Sequence, residues 1–358
     1  MKLKLFAIIL NTFLFSWLIC GCIKTPSPKE SLTLQKKPGR DFVLLNLSDP
    51  QLTQDEWASD CPRLAILKKT ISELVERVHP DLITVSGDIS YAEHRPAYDH
   101  FADFMDSFGI WWAPVWGNHD NQGGPGAIRE IAESYLLRPY CLFELGPEEL
   151  GCGNYVIRIE EKGRPVTALF MMDTHDCEPC EAVHPERSFW SQLHQNQLDW
   201  YREQARALKQ KGFRDSAMIM HIPFKAYQDA FKAAFNASID PKTLSFEQTL
   251  DGTCWNDGYK DAYGCLHEGI GSHPLDNGAL DLLAEEDFTK YVICGHDHIN
   301  NFVIKFKGIW LVYSMKTGAG CYWEPALNGG TVLTIGRDGI KSLHHEFVDV
   351  GELAAQVK

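Results

Sequence analysis

Five short polar motifs each stand directly after an apolar run of strand length. Asp49 follows Phe42 to Leu47, Gly87-Asp88 follows Leu82 to Val85, and Gly117-Asn118-His119-Asp120 follows Trp111 to Trp116. His221 follows Ala217 to Met220, and Gly295-His296-Asp297-His298 follows Tyr291 to Cys294. Carboxylate and amide oxygens with imidazoles, and no thiolates, form a donor set suited to Zn, Mn or Fe rather than to a cysteine-held structural zinc. His296 and His298, two apart at a strand end, point the same way, and the preceding glycine permits close approach. Taken singly, a Gly-Asp after a strand is an ordinary turn and a lone His221 an ordinary structural histidine. Recurrence on five strands argues instead for one shared site. Two ions sharing a carboxylate sit about 3.5 to 4 Å apart, clamp both sides of an in-line displacement and make hydroxide available at neutral pH.

The elements that must position these groups follow from periodicity. Leu64, Leu67, Ile71, Leu74, Val75 and Val78 recur at helical spacing between the runs at 42–47 and 82–85, a strand–helix–strand signature. Further strands are expected at 166–172, 302–306, 310–313 and 331–335, and helices at 97–108, 192–209 and 278–285. Early strands alternate with helices, whereas late strands follow one another through short turns such as Lys307-Gly308. The fold class expected is therefore α/β, a four-layer α/β/β/α sandwich with two mixed β-sheets, in one domain over residues 41–350. Functional side chains in such sheets gather beyond the carboxyl ends of the strands, where the five motifs fall.

The 358 residues carry a formal charge of −14, which works against a phosphate backbone as partner; no nucleic-acid footprint is expected. Met1-Lys2-Leu3-Lys4 precedes an apolar run to Ile19, the layout of an export signal and too short for a trusted membrane span. Ile19-Cys20-Gly21-Cys22 resembles a bacterial lipobox, so residues 1–22 read as a lipoprotein signal, Cys22 as the lipidated residue, and residues 23–40 as a flexible tether. The expected location is the bacterial cell envelope, with the chain held to the membrane by lipid. Nine cysteines remain beyond this segment, and export permits disulfides, with Cys141/Cys152, Cys177/Cys180 and Cys254/Cys265 as plausible local pairs.

Read in order, the motifs resemble the calcineurin-like metallophosphoesterase family: Asp-x-His, Gly-Asp, Gly-Asn-His-Asp/Glu, a single His, and Gly-His-x-His. The resemblance spans roughly residues 42–339. The stretch from Gly295 to Tyr322, with Glu268-Gly269-Ile270 and Asn277-Gly278, looks closest to the purple-acid-phosphatase-like branch. It implies that Asp88 bridges two ions, that Asp49 and His298 complete one site, and that Asn118, His221 and His296 complete the other. His119 would stabilise the transition state or protonate the leaving group, with Asp120 orienting its ring. The implied activity is hydrolysis of phosphate monoesters by metal-bound hydroxide, on a phosphorylated small molecule. One position departs: Gln51 stands where many members carry a histidine ligand. Either Gln51 ligates through its amide oxygen or leaves the place to water, or Tyr91, three residues after Asp88, supplies a phenolate to iron, giving Fe with Zn, Mn or Fe. Asp173 is expected to fix neighbouring loops, His175 and His184 to lie outside the ligand set, and His344 and His345 to belong to a strand or the surface. The polar, aromatic segment 238–274 either overhangs the site or decorates the surface. Oligomeric state is not encoded in any motif.

Overall fold

The computed structural model describes residues 28–357. The export signal and Cys22 lie outside the described residues, as does the first part of the tether. Two mixed sheets face each other. The seven-stranded sheet runs in the order Thr33–Gln35, Tyr155–Glu161, Arg164–Met171, Asp215–Ile219, Thr289–Cys294, Ile309–Tyr313, Val303–Phe306, and its four strands from Arg164–Met171 to Ile309–Tyr313 are mutually parallel. The five-stranded sheet runs Gly339–Phe347, Gly329–Gly336, Phe42–Leu47, Leu82–Ser86, Trp111–Val115, the last three parallel.

Burial explains why these segments are strands. Leu82–Ser86 is buried throughout, as a central parallel strand covered on both faces must be. Along Arg164–Met171 the side chains alternate between two cores. Leu169 and Met171 join the cluster between the sheets, while Ala168 and Phe170 join the cluster under the Gln195–Gln210 helix. Helices Pro62–Val78, Arg95–Asp106 and Gly124–Leu136 bury Leu67, Phe101 and Ile131 in the first cluster. Helices Gln195–Gln210, Ala226–Ala234 and Ala279–Glu286 bury Tyr201, Tyr227 and Leu283 in the second. The result is the helix–sheet–sheet–helix sandwich expected from the strand and helix pattern.

Two expectations are corrected. Within the presumed tether, residues 28–40 include the short helix Pro28–Ser31 and the strand Thr33–Gln35, which pairs in parallel with Tyr155–Glu161. Leu32 and Leu34 alternate with polar neighbours and are buried, so this segment is the edge of a sheet. The proposed cysteine pairs are also absent: Cys141, Cys152, Cys177, Cys180, Cys254 and Cys265 are all free thiols. Cys177 and Cys180 open and close one strand, where three residues of extended chain separate their Cα atoms by about 10 Å, beyond disulfide reach.

His344 and His345 lie on the Gly339–Phe347 strand and face opposite ways. His344 pairs with Glu346 at the surface. His345 is buried, donates from Nε2 to the Asn301 carbonyl at 2.7 Å, and lies 3.0 Å from the Thr331 hydroxyl through Nδ1. Burial pushes its imidazole down to about 4 from the ordinary 6.5, with His344 adding to the effect. As pH falls, the unfolded chain takes up this proton first. The neutral buried ring's contribution is therefore complete above pH 6.5 and lost between 6.5 and about 4. We predict that His345→Gln flattens this part of the stability profile, removing up to about 3 kcal/mol of acid destabilisation. Urea unfolding at pH 7.5 and 4.5 tests it, and parallel losses in wild type and variant would refute it.

Candidate metal centre

The carboxyl ends of five strands meet at one rim, and the chain turns sharply as it leaves them. Asp49 (φ 54°), Asp88 (φ 47°) and His296 (φ 83°) all adopt left-handed backbone, a conformation that costs non-glycine residues of order 1–3 kcal/mol and needs support from its surroundings. That support is visible. The Asp49 amide donates to the Gly87 carbonyl at 3.2 Å, the Gln51 amide to the Asp88 carbonyl at 3.0 Å, and the His119 amide to Asp88 Oδ1 at 2.9 Å. Glycine is required beside them: a Cβ on Gly295 would stand 2.2 Å from Ser48 Oγ and 2.7 Å from Asp49 Oδ2.

Two clusters of ligand-type atoms result, Asp88–His221–His296 and Asp49–Asp88–His298, each with its atoms within 4.8 Å of one another and sharing Asp88. His221 donates from Nδ1 to the Ser86 carbonyl at 2.8 Å, and His298 from Nδ1 to the Tyr322 carbonyl at 2.8 Å. These bonds fix both tautomers and leave Nε2 lone pairs facing inward. His221 Nε2 then lies 3.1 Å from Asn118 Oδ1 and 3.3 Å from Asp88 Oδ2, and His298 Nε2 lies 3.4 Å from Asp49 Oδ1. Acceptors crowded on acceptors need a proton or a cation between them. The charges agree. Burial alone would lower the His221 pKa, yet the Asp88 and Asp49 carboxylates push it up to about 10. Burial would raise Asp49 and Asp88, yet the imidazoles hold both below the ordinary carboxylate range. His296, farther from the carboxylates, is pushed down to about 3 by burial and by His221. The donor set fits a pair of cations.

Asp120 corrects an expectation. Its carboxylate does not orient the His119 ring. Oδ1 accepts from the Ile89 amide at 3.0 Å, the Ser90 amide at 3.3 Å and the Tyr98 hydroxyl at 2.7 Å, while Oδ2 accepts from the Gly117 amide at 2.7 Å. It therefore ties the turn after one strand to the turn after the next. The His119 partner is Gln122, whose Oε1 lies 3.0 Å from Nδ1. Gln122 escaped sequence reading, although spacing of three residues at the start of a helical turn is a usable signal. Tyr91 packs edge-on against His119, ring centroids 4.9 Å apart. Gln51 is buried with both amide atoms lacking any partner among the described residues.

The surroundings sort as follows. Asp173 is buried and accepts from Asn121 Nδ2 at 3.1 Å, fixing neighbouring loops as expected. His175 lies 3.1 Å from Gln197 Oε1, and His184 is exposed. Part of the 238–274 segment does reach the site. Gly269 and Gly271 line its cavity, and the Gly271 amide donates to Asp297 Oδ2 at 2.9 Å, while Trp255 is buried in the second core.

An α/β sandwich carrying two oxygen-and-nitrogen donor clusters that share one carboxylate is an architecture suited to a pair of metal ions. The chain belongs to the calcineurin-like phosphoesterase family, whose model matches residues 42–300. Membership brings divalent metal use, which the donor set fits. The chain is 25% identical over 324 residues to "Phosphatase DCR2" of Saccharomyces cerevisiae, covering 83% of this chain and 51% of that protein. It is 26% identical over 305 residues to "Probable inactive purple acid phosphatase 14" of Arabidopsis thaliana, covering 77% and 67%. It thus spans about half the length of the yeast relative. Among solved structures, a dimetal phosphatase from Danio rerio aligns over 85% of this chain and 98% of that one, with TM-score 0.49 and 13% identity.

The contacts of Asp120 generate a prediction. Asp120→Asn leaves at least one buried donor facing an amide NH2, at about 1–3 kcal/mol for each unmet donor. Urea unfolding and zinc titration by calorimetry should show lower stability and weaker metal binding together. Wild-type values for both would contradict the clamp.

Proposed function

We propose that the protein is a metal-dependent phosphatase that hydrolyses phosphate monoesters. The observation that carries the reading is the convergence of His221 Nε2, Asn118 Oδ1 and Asp88 Oδ2 on one point with no donor among them when the imidazole is neutral. In this reading Asp49, Asp88 and His298 would hold one cation, and Asp88, Asn118, His221 and His296 would hold the other. The unpartnered Gln51 amide supports an oxygen donor on the Asp49 side. Edge-on packing of Tyr91 against His119 supports a packing role for that ring, so Zn or Mn is favoured over a tyrosinate–iron centre. The cation pair, when bound, supplies charge for the phosphoryl oxygens and acidifies water.

The chain's own residues do the rest. Gln122 holds the His119 ring through Nδ1, leaving Nε2 to serve the cavity that the ring lines, where it passes a proton to the departing ester oxygen. Buried Ser86 and Tyr322 carbonyl contacts keep His221 and His298 from rotating away. Export and lipid anchoring through Cys22 form part of the same proposal and are supported by residues 1–22 alone. Among the described residues no helix is long and apolar enough to cross a membrane.

A second reading, metal binding without turnover, is favoured by the name "Probable inactive purple acid phosphatase" that several Arabidopsis relatives carry, and by Gln51. One assay separates the two. With metal restored, phenyl phosphate should be hydrolysed faster than bis(phenyl) phosphate. His119→Ala should lower kcat by about 100-fold or more while the metal content stays at two per chain. Absence of turnover with two ions bound would favour the second reading, and faster diester cleavage would overturn the monoester assignment.

A further inference from the structure

The cavity over the metal-side residues has a volume of about 260 Å³. Beyond the ligand-type side chains and His119, its walls are Trp190, Tyr322, Cys321 and the two glycines at 269 and 271, and no lysine or arginine lines it. A leaving group bearing its own phosphate or carboxylate would find no countercharge there and would face Asp297. What the walls offer instead is aromatic surface.

Tyr322 is fixed in place before any ligand arrives. Tyr322 stacks on His298 with centroids 4.2 Å apart and planes 23° from parallel. Its hydroxyl donates to Glu268 Oε2 at 2.8 Å, and the other oxygen of that carboxylate accepts from the Ile299 amide at 2.9 Å. The ring is nevertheless 45% exposed, the only aromatic among the large, exposed apolar side chains of the described residues. Trp190 ends the His184–Trp190 strand and stands edge-on to His296, centroids 4.5 Å apart at 83°. A second hollow of about 260 Å³ continues on its far side, lined by Phe189, Arg187 and Ser272. Space is kept open below: a Cβ on Gly271 would lie 2.7 Å from His296 Nε2, and Gly269 has nothing within 4 Å.

We infer that Trp190 and Tyr322 select phosphoesters whose alcohol portion carries a flat, uncharged ring, which stacks on these walls while the phosphate sits over Asp88 and the histidines. This rests on the phosphoesterase reading and specifies its substrate class. Rigid aromatic walls cost a ligand little ordering entropy, and ring stacking of this kind is worth about tenfold in affinity, roughly 1.4 kcal/mol.

The test compares 2-phenylethyl phosphate with n-propyl phosphate on the metal-loaded protein, since both leave as primary alkoxides and differ in the ring. The wild-type ratio of kcat/KM should favour the ring by about tenfold or more. It should fall toward one in Trp190→Leu and Tyr322→Leu and persist in Tyr322→Phe. A wild-type ratio near one, with both esters turned over, overturns the inference and leaves the phosphoesterase reading standing. If neither ester is hydrolysed, the reading itself fails. Calorimetric binding of 2-phenylethylphosphonate against propylphosphonate then decides the ring preference: tighter binding of the former, lost in the leucine variants, upholds it, and equal binding overturns it.

Discussion

Electron pairs that repel one another are brought together around the Asp88 carboxylate and held there. Its Oδ2 lies 3.3 Å from the His221 lone pair, which also meets the Asn118 amide oxygen at 3.1 Å, and the neighbouring Asp49 carboxylate faces a second imidazole. With Asn118 presenting its oxygen, no neutral donor relieves this crowding, because both histidines have already committed their N–H to backbone carbonyls. Positive charge is the missing partner, and the upward push on His221 expresses the same demand in protonic form.

Such a site is stable only because a rigid frame surrounds it. The two sheets present their parallel strands to one rim, and each strand ends in a turn whose backbone is locked to the next. Asp120 is the central fastener, joining its own turn to the 87–90 turn through the Ile89 and Ser90 amides and to the Arg95–Asp106 helix through the Tyr98 hydroxyl, while Gly117 closes the turn. Lys316, buried, donates to the Asp49 carbonyl and ties in the loop that carries Cys321 and Tyr322. Strain at positions 49, 88 and 296 is therefore distributed over a network rather than borne by any one residue. The same loops that fasten the ligands also carry Tyr322 and the two cavity glycines, so shaping the pocket and holding the centre are parts of one construction.

Much of this could be read from residue order. Apolar runs ending in Asp, Gly-Asp, Gly-Asn-His-Asp, His and Gly-His-Asp-His announce both the strands and their ligands, because a strand's period and the rim rule are local in sequence. What escaped was set by partners distant in the chain. Asp120 and Ile89 lie 31 residues apart, so nothing in the motif says that the carboxylate turns toward the backbone and leaves the histidine to Gln122. The richness of residues 23–40 in Pro, Ser and Lys reads as a tether, whereas the alternation of Leu32 and Leu34 with polar neighbours becomes a strand only against Tyr155–Glu161. Trp190 lies in a hairpin of charged residues and gives no sign in sequence that it reaches His296. The Cys177/Cys180 pair failed for a related reason: nearness along the chain says little once a strand pulls two residues apart.

The central claim is that Asp88 is shared between two cations. Crystals of the protein grown with manganese or zinc and measured at the metal's absorption edge test it most directly. The account predicts two anomalous peaks about 3.5 to 4 Å apart, one on the Asp49–His298 side and one on the Asn118–His221–His296 side, with Asp88 touching both. A single peak, or a pair in which Asp88 contacts neither ion, would contradict it.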